Sequence, residues 1–196
     1  MDIQRRRDRE GQAKVLTDDE IKRVYIIAGY GRHDLRDTVL LDFSFRLGLR
    51  VKEMASLMID DIVDANGKIV NRFYLKADQA KGNKGREVYL TNKVLQKNLA
   101  RYLDTRKDDL NRHLFRSQKT AFTPNSLQQV LKRLYVKSDI KGAKSHSGRR
   151  TFATRLIEAG YDIKSVSILM GHSNIQTTAR YISENPIRLG EMVAGL

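Results

Sequence analysis

Apolar positions recur at helical spacing through most of this chain, and the places where that rhythm breaks divide it into elements. Ile21, Val24, Ile27 and Ala28 follow a capping box formed by Thr17 and Glu20, which predicts a helix ending at Gly31. Leu35, Val39, Leu40, Phe43 and Leu47 predict a second helix over residues 34–47, stopped by Gly48, and Val51, Met54, Ala55 and Met58 a third over 49–58. From Asp60 the period changes. Asn66-Gly67 is a hairpin signal, and K-G-N-K-G (81–85) followed by a strand over 86–90 predicts another. Together they predict three short antiparallel strands on the edge of a helical domain. Helical spacing returns over 92–104, capped by Thr91 and carrying Leu95, Leu99, Tyr102 and Leu103. Residues 105–122 are polar and irregular. Thr123-Pro124 then opens a helix with Leu127, Val130, Leu131, Leu134 and Tyr135, and residues 137–145 form a basic loop. The fold class is mainly α with a small antiparallel β-sheet (α+β).

The stretch from Ser145 to Tyr181 carries the densest chemistry. It reads as three short helices, over 147–159, 163–170 and 174–182. Gly160 and Gly171 close the first two, and Asp162 and Ser173 serve as N-caps, Ser173 in a capping box with Gln176. His146 and Arg149 are one helical turn apart. His172 sits in the last turn and Tyr181 at the exit of the last helix.

Charge narrows the partner. Thirty-seven Lys and Arg against 23 Asp and Glu give a formal net charge of +14, which points to a polyanion. No apolar run approaches the roughly 20 residues of a spanning helix, and the N-terminus lacks the apolar core of a signal peptide. The absence of cysteine excludes disulfides, thiolate zinc sites and cysteine nucleophiles, and the four histidines have no metal-site spacing. A cytoplasmic, nucleoid-associated protein without membrane partners is expected.

The pattern H-x-x-R at 146–149, G-H at 171–172 and a tyrosine nine residues further on resembles the catalytic box of the tyrosine recombinase (phage integrase) family. Upstream, L-G-L-R-V-K-E-M-A-S-L supplies Arg50 and Glu53, and K-G-N-K-G-R-E-V-Y-L supplies Lys81, in family order. The resemblance implies the catalytic-domain fold of that family and a site-specific recombinase that works through a 3′-phosphotyrosyl intermediate, with no cofactor, ATP or metal. It implies that Arg50 and Arg149 clamp the scissile phosphate, that His172 and His146 donate to its oxygens, and that Tyr181 is the nucleophile. Lys81 becomes the general acid, and Glu53 orients an arginine. Arg5, Arg6, Arg7, Lys84, Arg86, Lys144 and Arg150 are expected to contact DNA. The partners implied are double-stranded DNA, further copies of the chain in a tetramer on paired sites, and accessory DNA-bending proteins.

The expected organisation is a basic arm over 1–15, a catalytic domain over 16–185 and a tail over 186–196 beginning at Pro186. The tail either folds back on its own core or docks on a neighbouring subunit. Larger relatives carry an N-terminal helical domain, so the chain is either a short member or a catalytic half. Arg150 stands where many relatives have a histidine. Two rival functions share these residues: a helix-turn-helix regulator built on 162–181, and a tyrosine-type topoisomerase. The first leaves Arg50 and Lys81 without a role.

Overall fold

The helix that everything else packs around spans Asp34–Arg46 (α2), and its burial explains why. Val39, Leu40, Leu41 and Phe43 are fully enclosed, and so are Asp42 and Ser44, so this helix has no solvent stripe along its middle. Three other helices lie against it: α1 (Asp18–Gly29), α5 (Lys93–Asp104) and α7 (Ser147–Glu158). The enclosed Asp42 carboxylate is satisfied by the Tyr25 hydroxyl at 2.8 Å, Arg46 Nε at 2.7 Å and Asn98 Nδ2 at 2.8 Å, which ties α1 and α5 to α2. Burial, reinforced by that carboxylate, pushes the Tyr25 phenol well above its usual pKa.

The remaining elements of this computed structural model are α3 (Val51–Ser56), α4 (Ile59–Ile62), β1 (Arg72–Leu75), β2 (Arg86–Tyr89), α6 (Pro124–Lys137), α8 (Ile163–Met170) and α9 (Ile175–Ala179). The structure describes residues 13–76, 85–107, 111–117 and 120–181. The expected arm residues Arg5, Arg6 and Arg7, the hairpin residues Lys81 and Lys84, and the tail over 186–196 lie outside them. β1 and β2 pair antiparallel, with Phe73 opposite Val88. A larger core joins α1 to α6 and the strands, and a small second one, Ala153, Ile157, Val166 and Met170, lies between α7 and α8.

Several expectations are corrected in detail. The helix expected over 49–58 is confined to α3, and the short α4 follows it as a separate turn. Of three expected strands, two form among the described residues, and the Asn66-Gly67 turn closes only an isolated bridge between Val63 and Ile69. Asn92 rather than Thr91 caps α5, accepting from the Leu95 N–H at 3.0 Å. Asn174 rather than Ser173 caps α9, accepting from the Gln176 N–H at 2.8 Å, and α9 is shorter than expected. The irregular segment after α5 is ordered by one buried guanidinium. Arg106 donates to the carbonyls of Leu114 at 2.8 Å, Asn111 at 2.7 Å and His113 at 3.1 Å.

The N-terminal end of the described chain is stitched to α7. Arg150 Nη1 donates to the Ala13 carbonyl at 2.6 Å, the Leu16 N–H to Thr151 Oγ1 at 2.9 Å, and Arg155 pairs with Asp18. On its other side α7 presses against α2, and Gly148 makes this approach possible. A Cβ there would stand 2.1 Å from Ser44 Oγ and 3.2 Å from the Ser44 carbonyl carbon.

The same substitution should therefore have opposite signs at two glycines. Gly148→Ala forces α2 and α7 apart and is expected to cost about 1–3 kcal/mol. Gly29→Ala, in α1 with nothing within 4 Å of the new methyl, is expected to stabilise by about 0.5–1 kcal/mol. Urea unfolding of both variants checks this; equal effects would refute the packing account.

Candidate active site

Three chain breaks place the site. Gly48, at φ +62°, ends α2 in a conformation other residues avoid, and the Phe152 ring lies 2.5 Å from where its Cβ would be. The chain then turns into α3 with Arg50 as the residue before its first turn and Glu53 within that turn. Gly171, at φ +58°, ends α8 in a Schellman turn: the His172 N–H reaches the Ser167 carbonyl at 3.0 Å and the Gly171 N–H that of Ile168 at 2.9 Å. Arg149 projects from α7 between these two turns. One Nη donates to the Gly48 carbonyl at 2.5 Å and the other to the Met170 carbonyl.

Glu53 sits at the centre with no exposed surface. Its carboxylate accepts from Arg50 Nη1 at 2.7 Å, from the Arg50 backbone N–H at 2.7 Å, and from both terminal nitrogens of Arg86 at 2.8 and 2.9 Å. Arg149 lies 4.0 Å away. Burial opposes ionisation, but the Arg86 fork, Arg149 and the Arg50 N–H outweigh it and hold this carboxyl at about 2. Three guanidinium groups thus share one carboxylate, which leaves two positive charges without a counter-ion among the described residues. Burial and the neighbouring Arg50 lower Arg149 to about 9, still charged at neutral pH.

The expected DNA contact by Arg86 is corrected. Its side chain is 6% exposed and committed to Glu53, because β2 alternates and turns Arg86, Val88 and then Leu90 inward. That alternation is visible in the sequence and would have found it. Lys144 is exposed at the head of α7, and Arg150 is half-buried with one nitrogen on Ala13.

His172 is held on both ring nitrogens. Its Nε2 lies 3.1 Å from Arg149 Nη2, which can only donate, so Nε2 accepts and the ring proton sits on Nδ1, 2.8 Å from buried Thr178 Oγ1. Burial and then Arg149, Arg50 and Arg86 depress its pKa to about 4. His172 is thus neutral, with Nε2 turned to Arg149. Thr178, six residues on, had no signal in the sequence. The Tyr181 ring stacks near that of His172, centroids 6.1 Å apart and planes at 18°, and rests on the small core under α7 and α8.

Arg50, His146, Arg149, His172 and Tyr181 line one cavity of about 300 Å³, with Arg150 and Arg180 at its wall. His146 stands exposed at the start of α7. A larger cavity of about 730 Å³ opens between the α1–α2 turn and α6, but none of the candidate catalytic residues lines it. The smaller one is open and strongly basic, with a phenol at its wall.

Residues 14–188 match the sequence pattern of the Phage integrase family. Tyrosine recombinase XerA of Pyrococcus horikoshii is 32% identical over 184 residues, covering 92% of this chain and 60% of the relative. A crystal structure of XerA recombinase superposes with a TM-score of 0.76 at 29% identity, covering 94% of this chain and 65% of that one. The XerH site-specific recombinase bound to difH substrate, at 24% identity and TM-score 0.72, covers 92% and 53% and shares the fold. The chain thus spans about 60% of the length of the curated relative it matches, and it belongs to the phage integrase family.

Proposed function

We propose that this chain is the catalytic part of a site-specific recombinase that cleaves and rejoins double-stranded DNA through a 3′-phosphotyrosyl intermediate, without ATP or metal. The observation that carries the reading is the convergence of Arg50, His146, Arg149, His172 and Tyr181 on one cavity above a buried cluster with surplus positive charge. A phosphodiester brings one negative charge, and displacement at phosphorus adds more. Guanidinium groups suit both, because they stay charged and fork two donors to two oxygens. Arg50 and Arg149 hold the non-bridging oxygens, with Glu53 and His172 fixing their planes.

The Tyr181 oxygen attacks phosphorus and forms the P–O bond as the bond to the sugar 5′-oxygen breaks. His146 is the candidate to take the phenol proton, and Lys81 the candidate to protonate the leaving 5′-oxygen. A 5′-hydroxyl from another strand then reverses the steps. Each phosphodiester lost becomes a phosphotyrosine, so strand transfer proceeds without an energy source. The XerH structure, by its own description a site-specific recombinase bound to difH substrate before cleavage, supports a strand-cleaving reading.

A tetramer on paired sites, DNA-bending accessory proteins, phosphate contacts by the arm over 1–15 and docking of the tail over 186–196 on a neighbour complete the proposal. The nucleoid is where such a chain would act; no helix among the described residues is long and apolar enough to cross a membrane. The regulator reading loses its footing, because α9 has five residues, too short for a recognition helix. A topoisomerase would share the chemistry, and recombinant products from paired sites distinguish the two.

Tyr181→Phe removes only the phenol oxygen. Incubated with a pool of nicked, randomised duplexes, the unmutated chain is expected to yield a covalent protein–DNA adduct, and the variant to bind equally but yield none. An undiminished adduct from the variant would refute the nucleophile.

Lys81 is tested through its leaving group. A thiol has a pKa of about 8.5, against about 15.7 for water, so a thiolate departs without an acid. Lys81→Ala should cleave ordinary DNA slowly and a 5′-sulfur-bridged duplex at nearly the unmutated rate. Arg149→Ala should lose about 10²–10³-fold on both. Equal rescue of the two variants would pass the acid role to Lys84.

A further inference from the structure

Phosphate chemistry leaves Arg86 without a task, yet it is more fully engaged than either arginine that faces the cavity. Nη1 and Nη2 hold the two oxygens of Glu53, and Nε donates to the Leu169 carbonyl at 3.1 Å. The end of α8 explains why this matters. A helix leaves its last carbonyls unpartnered and slightly negative. In α8 the Schellman turn takes those of Ser167 and Ile168, and three arginines take the next three. Leu169 accepts from Arg86, Met170 from Arg149, and Gly171 from Arg50 at a long 3.5 Å. Each carbonyl from 167 to 171 thus has its own donor, and the arginines are spaced by the carboxylate of Glu53.

These three arginines differ in what an anion would do to them. Arg50 and Arg149 line the cavity and would turn donors toward it. Arg86 does not line it. Its Cδ lies 2.8 Å from where a Cβ on Gly171 would stand, so it is wedged against the turn that precedes His172.

We propose that Arg86 is a positioning residue that locks the Gly171–His172 turn to Glu53, so that Arg50 and Arg149 can release the helix end to the scissile phosphate without displacing His172 and Tyr181. The inference rests on the strand-transfer reading for its consequence, but its structural half stands alone. Among the partners that hold Glu53 ionised, Arg86 contributes most. Without it, burial raises the carboxyl toward the neutral form, and Glu53 protonates as pH falls. Arg86→Met should therefore gain an acid limb in its rate profile that the unmutated chain, with Glu53 at about 2, does not show. Arg86→Lys keeps the charge but not the fork, and should be slower without that limb.

The test uses the whole chain with Arg86→Met and Arg86→Lys. Hydrogen exchange at the Gly171 and His172 amides is followed beside the amides of α5. Single-turnover adduct formation on the nicked, randomised duplex pool is followed across pH, with affinity measured separately. In Arg86→Met the two turn amides are expected to exchange faster while α5 is unchanged, and adduct formation to slow about a hundredfold at nearly unmutated affinity. Unchanged turn amides, uniform loosening that reaches α5, or a loss confined to affinity would each overturn the proposal. If the unmutated chain forms no adduct while the variant's turn still loosens, the strand-transfer reading falls and Arg86 stands as the anchor of the turn.

Discussion

One carboxylate holds this site together. Glu53 is enclosed, and an enclosed charge is tolerated only when it is matched and fully hydrogen-bonded. Here it is matched by residues from separate parts of the chain: Arg50 at the head of α3, Arg86 from β2 and, at longer range, Arg149 from α7. Those elements can meet only if α2 ends where it does, if Gly48 turns the chain, and if Gly171 closes α8. The apolar core of the domain sets the elements, and the carboxylate sets the distances between their functional ends. Removing it would leave three like charges facing each other out of water.

The charge balance of this cluster also separates binding from support. An isolated buried cluster tends toward neutrality, whereas this one keeps a surplus that a phosphodiester can neutralise. The neutral state of His172 follows from the same surplus, since a fourth cation beside Arg149 is unfavourable. One set of guanidinium groups thus carries the surplus charge, fixes the histidine tautomer and closes a helix.

Arg50, Arg149, His172 and Tyr181 were singled out by their resemblance to the family's spacing, since each alone reads as an ordinary surface or core residue, and the structure brings the four to one cavity. The helices α1, α2, α6 and α7 were legible on their own, through capping residues and apolar periodicity. What was not legible is pairing across distance. Arg86 reads as one more basic residue in a basic hairpin until Val88 and Leu90 are seen to share its face. Arg106 reads as part of a polar loop, although its guanidinium builds that loop. The third strand failed because Val63 and Ile69 meet in a single bridge, and the capping asparagines 92 and 174 were passed over for neighbouring hydroxyls. For Arg86 and Arg106 a longer-range contact decided, while the caps turned on which neighbouring side chain reached the first-turn N–H.

The stitching of residues 13–18 onto α7 has a mechanical consequence. Arg150, the residue that grips the Ala13 carbonyl, is covalently next to Arg149, and Thr151 and Arg155 fasten the same segment further along the helix. A displacement of the backbone at Ala13 would therefore load α7 directly, at the residue next to the arginine that lines the cavity.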